Sequence, residues 1–180
     1  DTGLSAPGAV AVDPEGNLWV ADTGNGRIVR FLRPFDNPSG PFVADLVIGQ
    51  PDFQSRPPVS GAPPPSRELL FRPSSLAFTP EGHLAVSDMG QHRVLLYRQP
   101  FISGQPADLV LGQPDYTTTG SGNLYSKMNM PMGVAVDTSN RLYVADFLNR
   151  RIMVWDQVSE RLDGSSAALT FALGGQPQAV

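Results

Sequence analysis

The 180 residues carry 17 acidic and 13 basic side chains, a net charge of −4, and no cysteine. Disulfide staples, thiolate zinc sites and a cysteine nucleophile are thereby excluded, and the acidic balance disfavours nucleic acid, whose binders need a basic face to displace phosphate counterions. The apolar content of 41% can build a core, and no apolar run approaches the roughly 20 residues of a membrane-spanning helix. The length suits one domain or part of a larger one. Asp1-Thr2-Gly3-Leu4 has no initiator Met, no basic n-region and no apolar h-region, so the chain reads as an excised or processed piece.

In chain order, Gly8 to Asp13 alternates small and branched side chains and reads as a strand. Asp13-Pro14-Glu15-Gly16 then predicts a tight hairpin: Asp accepts from turn amides, Pro presets φ, and Gly takes the left-handed position. Leu18 to Ala21 is a second strand, Asp22-Thr23-Gly24-Asn25-Gly26 a turn, and Arg27 to Leu32 a third strand. The Pro34-to-Pro41 loop carries four breakers, and Asp45 to Gly49 makes a fourth strand. Ser66 to Phe71 predicts one helical turn, and Asn123 to Met128 another.

The strand pattern starts again at Pro73 and at Pro131, 66 and then 58 residues on. Over residues 7–31 and 131–155, 12 of 25 positions are identical. Ala44 to Phe53 matches Ala107 to Tyr116 at 8 of 10. A period of this size with four short strands per unit predicts an all-β propeller rather than a sandwich. The first strands use small residues (Gly8, Ala9, Ala11; Ser74, Ser75, Ala77; Gly133, Ala135), as crowding at a central axis requires. The third strands are bulky (Ile28, Val29, Phe31; Val94, Leu95, Tyr97; Ile152, Met153, Trp155), as diverging blades require. Residues 1–180 are read as a single partial propeller. Its blades are 7–53, 73–116 and 131–175, with 54–72 and 117–130 as inter-blade loops and Leu169 to Leu173 as the last fourth strand.

The pattern Pro-x-Gly-Val-Ala-Val-Asp, Leu-Tyr-Val-Ala-Asp, Asn-x-Arg-Ile resembles the NHL repeat. Pro131 to Trp155 is the nearest copy and Pro7 to Phe31 almost as near; Pro73 to Tyr97 departs, with Thr79 for the first Asp and Gln91 for the Asn. The Gly-Gln-Pro-Asp-Phe/Tyr extension is similar to the long-repeat variety in bacterial NHL proteins. The resemblance implies a six-bladed ring, of which three four-stranded blades are half, and slightly favours an extracytoplasmic or secreted location. Open flanks would then invite self-association, two copies completing six blades by two-fold pairing.

Candidate site residues lie on the side where the second turn and the long connections converge, since loops on a rigid scaffold carry function. They are Asp22, Asn25 and Arg27; Asp88, Gln91 and Arg93; Asp146, Asn149 and Arg151. Their threefold repetition favours a scaffold role, each Asp accepting amides of its own turn beside its Arg. Gln50, Asp52 and Phe53, with Gln113, Asp115 and Tyr116, complete the set; the aromatics are read as plugs between blades and the Asp as a turn clamp. His83 and His92 read as exposed turn residues.

No catalytic set, metal site or cofactor is assigned. The zinc site of NHL-like amidating lyases needs histidines that this chain does not offer, and the inward carboxylates of gluconolactonase-like propellers are missing from the first strands, so calcium enters only with further blades. The residues therefore favour a non-catalytic binding scaffold for a protein, peptide or glycan over an enzyme. The alternative is a propeller hydrolase or lyase, gluconolactonase-like or amidating-lyase-like, whose active site needs the missing blades.

Overall fold

The computed structural model describes residues 3–36 and 38–172, together with the backbone of 178–179. Alternating small and branched residues between turn formers give short strands: β1 Pro7–Val12, β2 Leu18–Asp22, β3 Arg27–Phe31 and β4 Leu46–Ile48 form the first antiparallel sheet, in that order. The second sheet is β5 Pro73–Phe78, β6 Leu84–Asp88, β7 Arg93–Tyr97 and β8 Leu109–Leu111. The third is β9 Pro131–Val136, β10 Leu142–Asp146, β11 Arg151–Trp155 and β12 Leu169–Ala172, to whose outer edge a two-residue β13, Gln178–Ala179, is added. Of the expected last strand, Leu173 lies outside the described residues, as do Gly175, Gln176 and Pro177.

The Asp13–Gly16 hairpin forms as its residues dictate. Gly16 adopts φ +85° and donates its N–H to Asp13 O. The Asp13 carboxylate accepts from Asn17 N, Asn17 Nδ2 and Trp19 Nε1, all at 2.8 Å. Burial pushes that carboxyl up, but these bonds outweigh it and hold it below its ordinary value.

The first strands run beside one another, and small side chains are needed there. The register slips at the same place in each sheet, between Pro7 and Ala9, between Pro73 and Ser75, and opposite Ala145 and Asp146. At these bulges neighbouring sheets are bonded together: Thr23 Oγ1 donates to Pro73 O at 2.6 Å, and Ser87 Oγ to Pro131 O at 2.7 Å. Further out, the two faces of each sheet differ. One core layer packs Trp19, Ala21, Ile28 and Ile48 of the first sheet against Leu76, Val86, Leu95 and Tyr97 of the second. The next packs Ala85, Val94, Leu96 and Leu111 against Leu142, Val144, Met153 and Trp155. The apolar burial of these two layers is the main favourable term holding the sheets in sequence.

Of the two expected helical turns, the one at 66–71 does not form and the one at 123–128 shrinks to a single hydrogen-bonded turn. Residues 66–71 run in an extended, bent path because their backbone groups are claimed elsewhere. Leu70 N donates to Gly49 O, and Ala107 N to Arg67 O. Leu124 to Lys127 makes a single turn, closed by Lys127 N to Leu124 O. Local propensity loses here to tertiary hydrogen bonding.

Leu70 and Met128 also act as knobs in a pair of glycine holes. A Cβ at Gly49 (φ +86°) would lie 2.4 Å from Leu70 Cδ1, and one at Gly112 (φ +83°) 2.7 Å from Met128 Cγ. Gly49→Ala and Gly112→Ala thus combine left-handed strain with displaced core packing. Each is expected to destabilise by roughly 1–3 kcal/mol in urea unfolding. Gly61→Ala, at a positive φ with open space around it, is the reference for backbone strain alone.

Candidate functional site

Each Asp-x-x-Asn/Gln-x-Arg turn is a short 3-10 segment closed by a residue in the left-handed region: Gly26 (φ 62°), His92 (φ 55°) and Arg150 (φ 55°). The geometry turns the first carboxylate inward. Asp22, Asp88 and Asp146 are completely buried, and each pairs with its Arg at 2.7, 2.8 and 2.7 Å.

The amides these carboxylates accept are not those of their own turns, which corrects the expectation from sequence. Asp22 Oδ1 accepts from Ser5 N at 2.6 Å, Asp88 Oδ1 from Phe71 N at 2.7 Å, and Asp146 Oδ1 from Asn129 N at 2.7 Å. Those three residues each stand two before the Pro that opens a first strand. Their carbonyls are held as well, by Gly24 N, Gly90 N and Leu148 N. The Arg completes the latch. Arg93 donates Nη2 to Leu69 O and Nη1 to Tyr116 O, both at 2.9 Å. Arg27 reaches Gly3 O and Phe53 O in the same way, and Arg151 reaches Asn123 O, Leu124 O and Lys127 O. In the first two repeats the turn, the chain leading into the first strand and the chain leaving the fourth are thereby fastened together, while in the third Arg151 fastens the turn to the lead-in chain. Complete burial pushes the Asp88 carboxyl up, while Arg93 and the Phe71 N–H pull the other way.

The third member differs between repeats. Asn25 and Asn149 donate Nδ2 to their own Asp, and to Gly3 O and Gly122 O respectively. Gln91 is a methylene longer and bonds Pro63 O instead; its Oε1 and the Tyr97 hydroxyl are buried without a hydrogen-bond partner. Gln50 and Gln113 lie beneath the turns, donating Nε2 to Gly26 O and His92 O. Asp52 and Asp115 are exposed and clamp their own loops, through Gln54 N and Ser55 N and through Thr117 N. Tyr116 packs on the core between the first two sheets, lies 4.8 Å beneath the Arg67 guanidinium and donates its hydroxyl to Asp163 at 2.9 Å. Phe53 covers Val20, Val29 and Val47 on the outer face of the first sheet.

The histidines are half-buried rather than exposed. His92 Nδ1 accepts from Met130 N at 3.0 Å, and His83 Nδ1 accepts from Gln99 N at 3.4 Å. Burial holds both below the ordinary histidine value, against Asp146 for His92 and Glu81 for His83. Sequence reasoning missed the cross-sheet donors Thr23 and Ser87, which differ in type and position between repeats. Among the described residues no three His, Asp or Glu side chains are grouped as metal ligands.

On the loop face, beside the first latch, an open groove runs along Thr23, Gly24, Arg56-Pro57-Pro58-Val59 and Phe71-Arg72. Its walls come from the long first connection and the start of the second sheet, and they mix apolar and cationic groups.

Three consecutive four-stranded antiparallel sheets joined through their first strands are blades of a β-propeller. Residues 4–31 match the NHL repeat, so the first blade carries a repeat of that kind. The fold is shared with Kuenenia stuttgartiensis hydrazine synthase (TM-score 0.57, 14% identity, 93% of this chain and 36% of that one). It is also shared with a catalytically inactive virginiamycin B lyase from Staphylococcus aureus, solved with quinupristin (TM-score 0.57, 11% identity, 97% and 43%). A putative 6-phosphogluconolactonase from Bacteroides uniformis is a third (TM-score 0.52, 16% identity, 91% and 41%). At these identities the likeness is one of fold, and the chain spans well under half of each of these three structures. No curated protein matches the sequence.

Two outcomes follow from the latch. Asp88→Asn or Arg93→Ala leaves a buried group uncompensated and should cost about 3–5 kcal/mol in urea unfolding. The second concerns pH. Both histidines have folded values below 6.5, so the unfolded chain binds more protons beneath that point. Their contribution is complete above about pH 6.5 and is lost as the pH falls toward the folded values. His92→Asn, which suits the left-handed position, should flatten the slope of unfolding free energy between about pH 7 and 5.

Proposed function

We propose that the chain is a non-catalytic propeller scaffold that binds a protein or peptide segment across its loop face, with a glycan as the other class of ligand the connections could take. One observation carries this reading. The ionic groups repeated on that face are consumed as backbone clamps, so they serve the scaffold and leave recognition to residues 50–72 and 113–130. Asp22, Asp88 and Asp146 are each held by one backbone amide and one guanidinium, with Asn25 and Asn149 adding a third donor to Asp22 and Asp146, an arrangement suited to stiffness rather than proton transfer. The groove at Pro57, Val59, Phe71 and Arg72 offers apolar walls and cationic ends, which favours an extended peptide carrying a carboxylate.

Peptide and glycan arrays, probed with the chain and with a variant in which 54–66 is replaced by a short Gly-Ser linker, test the reading. Binding of acidic peptides, lost in the linker variant while its circular dichroism is unchanged, is the expected result. Arg72→Glu should weaken the same peptides at least several-fold. Turnover of a lactone, ester or peptide-amide substrate with added calcium or zinc, abolished by one substitution, would overturn it in favour of the hydrolase or lyase reading.

A further inference from the structure

Two sheet flanks stand uncovered. On the first sheet, Val10 is 65% exposed, whereas Leu76 at the same repeat position is 6% exposed. Leu4 is 45% exposed, and its counterparts Leu70 and Met128 are fully buried. On the third sheet, Ile152 is 38% exposed against 0% for Ile28 and 1% for Val94. Phe171 is 41% exposed against 0% for Ile48 and 1% for Leu111. Every one of these residues is apolar and has a buried equivalent within the same chain.

We propose that the two flanks are halves of one further inter-sheet interface, and that a second copy of this chain covers them head to tail. The interfaces inside the chain supply the template. In both, a face of Leu, Val and Met (Leu76, Val86, Leu95; Val134, Val144, Met153) meets a face that carries Ala at two or more positions (Ala11, Trp19, Ala21, Ile28; Ala77, Ala85, Val94). The first flank, open at Val10 and Val12 and with Val20 and Val29 beneath Phe53, belongs to the first kind. The open third flank, with Ala135, Tyr143, Ala145 and Ile152, belongs to the second. Like faces never meet within the chain, so each flank is complementary to the other and not to itself.

Two finer features agree. Leu4 stands three residues before the Pro that opens its first strand, as do Leu70 and Met128, the knobs that fill the holes at Gly49 and Gly112. Gly104 N and Gly164 N reach back to Val47 O and Val110 O of the preceding sheet. Gly40 is the equivalent donor in the first repeat and Thr170 the equivalent acceptor in the third. β13 now pairs along β12 at Thr170, so docking exchanges that short pairing for the larger interface. With both flanks of both copies engaged, two chains make a closed ring of six sheets, a heterologous contact that closes instead of running on as a fibre.

The test uses the 180-residue chain, Val10→Asp and Ile152→Asp in sedimentation equilibrium, with circular dichroism confirming that each variant folds. The expected result is a dimer for the parent chain and a monomer for each variant alone. A 1:1 mixture of the variants should regain association, because the intact third flank of one meets the intact first flank of the other. A monomeric parent chain would overturn the proposal, as would polymers beyond the dimer. So would an Ile152→Asp variant that still dimerises, which means first flank on first flank, or a mixture that fails to associate.

Discussion

The buried carboxylate at the head of each turn is the constraint on which the rest depends. An ionised carboxylate away from water is tolerated only when its acceptor sites are filled, and its lone pairs then dictate where donors stand. Oδ1 takes the amide two residues before each first strand, and Oδ2 takes the Arg Nε. In the first two repeats the remaining guanidinium donors go to backbone carbonyls in the chain that enters the sheet and the chain that leaves it. One charged pair thus sets the start of the first strand, the closure of the second turn and the exit from the fourth. Because the fork of Arg is rigid and planar, Lys could not make this set.

This arrangement separates stiffness from recognition. The apolar layers supply most of the burial, but apolar packing is non-directional and would tolerate sliding of one sheet on the next. Directional bonds from Thr23 and Ser87 at the first strands fix the register between sheets, while the latch fixes each sheet to its own lead-in chain. The connections above the latch are then free to differ in length and composition without disturbing the sheets. The second repeat shows how far the pattern bends: Gln91 leaves the latch, reaches Pro63 of the long connection and leaves its own oxygen unpartnered.

Much of the fold was legible because it repeats. Strand order, turn positions and the small-to-bulky gradient each recur three times, and period-2 alternation with turn residues is a local signal. The Asp–Arg pairing was legible in the same way. The amide partner was not, because Ser5, Phe71 and Asn129 share nothing in their side chains and take part through backbone alone. Residues 66–71 misled because helical propensity is local, whereas their bonds to Gly49, Asp88 and Arg93 are not. The half-burial of His92 escaped notice because its cover, Met130, comes 38 residues later.

Native-state hydrogen exchange of the Phe71 amide tests the central claim most directly. Phe71 lies in an irregular connection outside any strand, where an ordinary amide exchanges through small local fluctuations. If Asp88 and Arg93 hold the second sheet to its lead-in chain, the Phe71 N–H exchanges only with sub-global or global opening, as slowly as the amides of β6. Exchange at the rate of the exposed loop amides near residue 60 would contradict the account.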